Sequence, residues 1–378
     1  MDMPQFSVPC AVYRGGTSRG VFFDNSSLPE DSIMQRNIFL HGIDAYNVNQ
    51  INGLGSGTSH TSKVCVVSRS QRDGADVDYT FYQIGIGEEI VDDKGTCGNL
   101  MAAVGAFAVD EGMVVVDPYA DDVDVSVFNT NIQKMLQITV PLVNGKAKVL
   151  GEYAMPGILG TGAKFTVNIM NPGGGKTGKT LPVGLLCTVK TEQRDYNVSF
   201  VDVVNPFVYV AAEELGIRGM EPNSELSMNE ELLNELEIIR SRMAVHAGMA
   251  KSPEQVAGSV PKIAIVSKPH DYVTSTGKRI KKEDIDIVAK MLSMGKFHRT
   301  FAGSGLYNIA AAALLPGTLP NRFAAKKARL QDQIIRIGHS EGIAEVRVSL
   351  TEDNKDVAFV GLDRTARRIM KGDLYIPE

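Results

Sequence analysis

Apolar and polar residues alternate in short runs through the first third of the chain, and glycine-rich turns separate the runs; this pattern predicts strands. Residues 7–13 and 20–24 predict two strands around the turn Arg14-Gly15-Gly16-Thr17-Ser18-Arg19. Residues 31–40 predict a helix capped by Asp31 or Ser32. Residues 63–68 are rich in β-branched side chains and predict a strand. In 76–85, Val77, Tyr79 and Phe81 alternate with Asp76, Asp78 and Thr80, the pattern of a half-buried strand. The run 101–109 then loses all polarity and predicts a helix that ends near Gly112. Further strands are predicted at 122–129, 135–141 and 147–150.

Composition shifts at Asn171-Pro172-Gly173-Gly174-Gly175-Lys176-Thr177-Gly178-Lys179-Thr180-Leu181-Pro182, which predicts a linker or long loop. Beyond it, strands are predicted at 185–191, 197–204 and 262–267, and 206–214 leads towards a helix. Residues 229–245 give the clearest amphipathic helix, with Leu232, Leu233, Leu236, Ile239 and Met243 at helical spacing. Residues 285–292 predict another helix. At 301–315 a small, glycine-containing entry again opens an apolar helix, an echo of 97–109. A helix apolar all round must be surrounded. Strands curling around one such helix, twice over, satisfy both halves and point to an internal duplication. Residues 367–375 predict a closing strand that can return to either half.

The chain has 378 residues, enough for two domains. Its hydrophobic content of 43% and charged content of 22% are ordinary for a soluble protein. Thirty-nine basic against forty-four acidic residues argue against a nucleic-acid partner. No apolar run reaches membrane-spanning length, and Met1-Asp2-Met3-Pro4 does not open a signal peptide, so a cytoplasmic protein is expected. Cys10, Cys65, Cys97 and Cys187 form no CxxC pair and read as reduced thiols.

Cys97, in Lys94-Gly95-Thr96-Cys97-Gly98-Asn99-Leu100, carries the most chemistry. A thiol at the mouth of a buried helix meets unpaired N–H groups and the positive end of the helix dipole. Both favour the thiolate, the form that takes a proton or attacks carbon. Most cysteines pack as small hydrophobes, but the glycines around this one leave its sulfur accessible. Gly53-Leu54-Gly55-Ser56-Gly57-Thr58-Ser59-His60-Thr61-Ser62-Lys63 is a donor-rich run that ends in a lysine at a strand start, suited to a carboxylate or phosphate. The Arg14–Arg19 turn adds two arginines, which grip carboxylates at two points. Gly173 to Thr180 matches the phosphate-loop pattern GxxxxGK[ST], but Leu181-Pro182 cannot continue as the helix that motif needs, so it is read as a loop. No clustered metal ligands and no dinucleotide fingerprint occur. Together these features describe a cofactor-free site that binds a small acid and moves a proton.

The sequence resembles the PrpF family, the 2-methylaconitate cis–trans isomerases of the diaminopimelate epimerase-like superfamily. The likeness rests on Arg14-Gly15-Gly16-Thr17-Ser18-Arg19-Gly20-Val21-Phe22-Phe23, Thr61-Ser62-Lys63, Asp76-Val77-Asp78-Tyr79, Cys97-Gly98-Asn99, Asn205-Pro206, Pro261-Lys262-Ile263-Ala264, Ser293-Met294-Gly295-Lys296-Phe297-His298 and Pro316-Gly317-Thr318, in order along the chain. The resemblance implies an α+β fold of two similar domains, each a barrel-like, mostly antiparallel sheet wrapped around a central helix. The domains would be 1–183, with 364–378 as a candidate addition, and 184–363, with the active site in the cleft between them. It implies Lys63 and Cys97 as the acid–base pair, no cofactor and no metal. It also implies an unsaturated di- or tricarboxylate substrate held by Arg14, Thr17, Ser18, Arg19, Ser59, Thr61, Ser62, Gly98, Asn99, Arg299, Ser304 and Gly305. Double-bond shifts in 3-methylitaconate, 4-oxalomesaconate or aconitate are the alternatives, with a non-catalytic carboxylate-binding protein as the alternative of another class. Diaminopimelate epimerases use a cysteine from each domain; here the second helix opens with Gly303-Ser304-Gly305 and has none, which argues against a two-thiol racemase. Cys65 shares the strand face of Lys63 and is the reserve thiol. A homodimer is a candidate assembly.

Overall fold

The computed structural model describes residues 5–155, 157–258, 260–293, 295–298, 300–325 and 333–377. The chain forms two compact units, residues 1–169 with 363–378, and residues 170–362. The division falls earlier than the expected 183/184. The closing strand, Ala366–Pro377, belongs to the first unit, where it pairs antiparallel with Gln5–Gly15.

In the first unit, Gln5–Gly15 and Ser18–Asp24 form a hairpin. The chain crosses over through the helix Ser32–Ile43, capped by Asp31, and returns as Lys63–Arg69, parallel to Ser18–Asp24. Val77–Ile84 pairs antiparallel with Lys63–Arg69. A second crossover, the helix Met101–Asp110, leads to Asp122–Asn129, parallel to Val77–Ile84. Lys134–Val143 and Phe165–Met170 complete the sheet, each antiparallel to its predecessor. Strands from both sides of the sequence touch the Met101–Asp110 helix, so every residue from Met101 to Val109 is buried. At Gly105 an added Cβ would lie 2.7 Å from Ile138 Cγ2, so only glycine lets this helix approach the strand so closely.

The second unit repeats the plan. Asp195–Val203 and Asn205–Ala211 pair antiparallel, and the helix Glu230–His246 leads to Lys262–Ser267, parallel to Asn205–Ala211. Ile287–Ser293 follows antiparallel, the buried helix Gly303–Leu314 crosses over, and Gln333–His339 runs parallel to Ile287–Ser293. Gly342–Leu350 and Val357–Arg364 add antiparallel strands, the last two residues of the second, Asp363 and Arg364, belonging to the first unit. Both units thus wrap a barrel-like, mostly antiparallel sheet around a central helix, the α+β architecture the sequence implies.

Three local expectations fail. Residues 285–292, read as a helix, contain the strand Ile287–Ser293: Ile287 to Leu292 are buried on both faces and therefore lack the alternation that identifies a strand. Residues 206–214 hold the strand Asn205–Ala211 for the same reason. The strand expected at 147–150 shrinks to Lys146–Ala147.

Candidate active site

Gly15 and Gly16 bring two distant segments together. Gly16 has φ +51°, and an added Cβ there would lie 2.4 Å from Asn99 Oδ1; at Gly15 it would lie 2.5 Å from the Asn99 carbonyl oxygen. Glycine at both positions lets the Arg14–Arg19 turn press directly on the Cys97-Gly98-Asn99 turn. The Cys97 carbonyl accepts from Leu100 N–H (3.1 Å) and Met101 N–H (3.3 Å), which starts the buried helix. Among the described residues, Gly98 N–H and Asn99 N–H have no hydrogen-bond partner, which leaves two donors for an anion.

Side chains continue this contact. Cys97 Sγ donates to Ser18 Oγ at 3.7 Å. Asn99 Nδ2 donates to Thr17 Oγ1 (3.0 Å) and Ser18 Oγ (3.4 Å). Arg364 Nε donates to Asn99 Oδ1 (3.1 Å), which fixes the orientation of the amide. Ser18 itself is buried. Behind Cys97, Asn129 Nδ2 donates to Thr96 Oγ1 (2.7 Å), and Asn129 Oδ1 accepts from Asn131 N–H (3.0 Å). Asn131 in turn ties Phe81 and Asp93 by backbone contacts, so the approach to Cys97 is laced to the sheet.

Lys63 opens its strand with only 8% of its surface exposed. Its Nζ donates to Gln83 Oε1 (2.5 Å) and lies 5.1 Å from the Phe81 ring centroid. Gln83 is the cross-strand partner of Lys63, and its Nε2 donates to the Ser62 carbonyl (2.7 Å). Gln83 therefore aims the ammonium and holds the loop before it. Sequence reasoning missed this residue; its signal was the strand register, which pairs position 83 with position 63. An added Cβ at Gly20 would contact Leu100, 3.0 Å away, and Lys63 Cβ, 3.5 Å away, so Lys63 and the Cys97 turn flank the same strand start. Both Cys97 and Lys63 act on the ionisation of Cys65.

Cys65 is fully buried, and burial, with the nearby Cys97, pushes its thiol well above the ordinary range. It stays a neutral thiol. The Tyr79 hydroxyl, equally buried among Cys65, Cys97 and Thr96, is pushed up for the same first reason.

The other expected residues divide. Arg14 Nη1 donates to the Gly16 carbonyl (3.0 Å) and to Thr365 O and Oγ1 (both 2.9 Å), so it staples the turn to the closing strand. Arg19 Nη2 donates to the Leu54 carbonyl (3.0 Å). Ser62 is buried and donates to Gln50 Oε1 (2.7 Å) and the Thr58 carbonyl (2.8 Å). Thr61 joins Ser56 (2.7 Å) and Thr58 (3.0 Å) through its hydroxyl. Ser59 is exposed in that loop. Ser304 and Gly305 lie in the first turn of the second unit's buried helix, Ser304 half-buried and Gly305 packed against Phe301 and Phe207. Arg299 lies outside the described residues. The phosphate-loop match is filled from within: Asp202 Oδ2 accepts from Lys176 N–H (2.9 Å), Thr177 N–H (2.7 Å) and Thr177 Oγ1 (2.9 Å). A carboxylate of the protein occupies the nest where a phosphate would bind. Among the described residues no group of three His, Cys, Asp or Glu is placed to hold a metal ion, and no helix is long and apolar enough to cross a membrane.

Residues 5–377 match the PrpF protein family. The 3-methylitaconate isomerase of Eubacterium barkeri is 38% identical over 98% of both chains. The 2-methyl-aconitate isomerase of Shewanella oneidensis is 33% identical over 99% of this chain and 98% of its own. A crystal structure of a methylitaconate-delta-isomerase superposes with a TM-score of 0.91 at 37% identity, covering 99% of this chain and 97% of the other. With a family match over nearly its whole length, this chain belongs to the PrpF family and is an isomerase.

Proposed function

We propose that this isomerase moves an allylic proton in an unsaturated di- or tricarboxylate, with Lys63 and Cys97 as its acid–base pair and no cofactor. The observation that carries the reading is the Cys97–Ser18–Asn99 network, set beside an almost buried Lys63 that Gln83 holds in place. One of the pair removes the proton next to the conjugated carboxylate. Charge then spreads into that carboxylate as a dienolate, and fixed donors aimed at its oxygens lower the barrier. Gly98 N–H, Asn99 N–H, Thr17 and Ser18 are the donors nearest the thiol, with Ser59, Arg19, Ser304, Gly305 and Arg299 as further candidates. Rotation about the weakened double bond, followed by return of the proton, gives the cis–trans isomer. Return at a different carbon gives a shifted double bond. Pre-positioned acid and base groups contribute roughly 10²- to 10⁴-fold to such steps.

The first substrate is 2-methylaconitate, converted between its cis and trans forms. A second reading, a double-bond shift in 3-methylitaconate, is favoured by the 38% identity to the Eubacterium barkeri enzyme and by the TM-score of 0.91. Ultraviolet assays in deuterated water against 2-methylaconitate, 3-methylitaconate, 4-oxalomesaconate and aconitate decide between them, because each conversion changes conjugation. Deuterium enters the product in the parent protein and not in Cys97→Ser or Lys63→Ala. Turnover without exchange, or variants as active as the parent, refutes the assigned roles.

A further inference from the structure

Asn99 is the junction of the first unit's polar network, and Arg364 is its least expected neighbour. Through Nδ2, Asn99 faces Thr17 and Ser18, the hydroxyl that meets Cys97; through Oδ1 it accepts from Arg364 Nε. Arg364 Nη1 donates to the Asp363 carbonyl (2.9 Å), while Nη2 has no partner among the described residues. None of the described carboxylates forms an ion pair with this half-buried guanidinium. The adjacent Asp363 carboxylate accepts instead from Thr166 (3.1 Å) and pairs with Lys164 (3.8 Å). The neighbouring arginines are differently placed. Arg14 and Arg19 donate to backbone carbonyls, and Arg368 pairs with Glu111 (3.1 Å).

A partly desolvated cation without a counter-charge is unfavourable unless an anion joins it. Anchoring Arg364 by Nε fixes the plane of its guanidinium. The Nη edge then presents parallel N–H donors with the geometry of a carboxylate fork. That edge lies two hydrogen-bonded side chains, Asn99 and Ser18, away from the Cys97 sulfur.

We propose that Arg364 is a substrate-binding residue that receives a carboxylate of the small acid whose reacting end lies at Cys97. The ligand class is a compact di- or tricarboxylate, and the proposal rests on the isomerase reading above for its substrate but not for its binding chemistry. The test is protection of Cys97 from iodoacetamide by propane-1,2,3-tricarboxylate, a saturated acid that cannot be turned over, read on the Cys97 peptide by mass spectrometry. In Arg364→Met the half-protecting concentration rises roughly 10- to 100-fold, the loss of one charge-assisted hydrogen-bonded contact. Arg364→Lys falls between, because an ammonium keeps the charge and loses the fork. Arg367→Met, which removes the same charge from an exposed position on the next strand, shifts it by less than about threefold. Turnover shows the same change in KM with kcat held within about threefold, as expected for lost uniform binding.

Unchanged protection in both Arg364 variants overturns the proposal, and so does a parent protein that the tricarboxylate does not protect. A role confined to holding Asn99 would lower kcat and leave the half-protecting concentration in place; that pattern also overturns it. If none of the four unsaturated acids is isomerised while protection still depends on Arg364, the substrate and reaction proposed above fail and Arg364 stands. Isomerisation with parent KM and parent protection in Arg364→Met overturns the role of Arg364 and leaves the isomerase reading standing.

Discussion

The two units share one strand plan and differ in what they place at its corresponding corners. Lys63 and Lys262 each open the strand that runs parallel to the hairpin. The Cys97 carbonyl accepts from Met101 N–H, and the Ala302 carbonyl accepts from Leu306 N–H, so Ala302 stands where the thiol would be. Cys65, Tyr79 and Thr96 line the first helix entrance; the matching positions of the second unit hold Ala264, Ala289 and Phe301. Where Gly20 leaves room beside Lys63, Phe207 lies beside Lys262 and stacks on Phe301 with centroids 6.2 Å apart. Duplication supplied the scaffold twice, and the thiol, its hydroxyl partner and its polar backing occur in one copy. Fold and chemistry are separable, because a site depends on a few side chains and the barrel on many.

The largest effects should therefore be confined to the first unit. Cys97→Ala and Lys63→Ala are each expected to lower the rate of solvent-proton exchange into substrate by roughly 10²- to 10⁴-fold. Lys262→Met is expected to leave it within about threefold, since Ala302 replaces the thiol in the second unit. A comparable collapse in Lys262→Met would show that both lysines do acid–base work and would break the asymmetry. Gln83→Leu sharpens the comparison further. It frees Lys63 from its 2.5 Å hydrogen bond without removing the amine, and kcat should fall about 10-fold. A parent-like kcat would mean that Phe81 packing alone aims the amine.

Stability effects come next. Asp202→Ala removes the acceptor of two backbone N–H groups and one hydroxyl in the second unit. We expect a loss of about 2–3 kcal/mol by denaturant unfolding, with no gain of nucleotide affinity. Gly16→Ala acts in the first unit. A side chain at φ +51° and a clash with Asn99 are expected to cost about 2 kcal/mol and to weaken the Cys97 turn. If Gly16→Ala leaves both the melting curve and turnover unchanged, the close approach of the two turns is not a structural requirement.

How much of this is readable in the sequence depends on residue type. Strands with one solvated face, such as Val77–Ile84, show in the alternation itself, and the two helices apolar all round announce buried centres. Ile287–Ser293 does not, because burial of Ile287 to Leu292 on both faces erases the alternation. Cys97 and Lys63 stand out by local chemistry, whereas Gln83 and Arg364 do not: Gln83 acts through cross-strand register, and Arg364 meets Asn99 across 265 positions of sequence. The GxxxxGK[ST] match shows the opposite failure. Its backbone does form an anion nest, yet Asp202, far along the chain, fills it.

The smallest expected effect tests a single matched position. Asn129 ends the strand Asp122–Asn129 beside Tyr79, and His339 ends the equivalent strand one residue past the Val288–Gly338 pair. The amide cannot titrate and the imidazole can. Burial, reinforced by the charge of His298 and opposed by that of Glu341, lowers His339 from 6.5 to about 4. Its ring also accepts from Glu341 N–H through Nδ1 (3.2 Å), a contact that only the unprotonated nitrogen makes. Between pH 6.5 and about 4 the unfolded chain therefore binds a proton that the folded unit refuses, so stability rises with pH there and is lost on acidification. The slope should approach about 1 kcal/mol per pH unit in denaturant titrations that follow the second unit. In His339→Asn, which installs the first unit's residue at this place, that increment should disappear while the first unit keeps its own acid response. An unaltered slope in this variant would mean that His339 is already protonated in the folded state, and that the two strand ends are electrostatically alike.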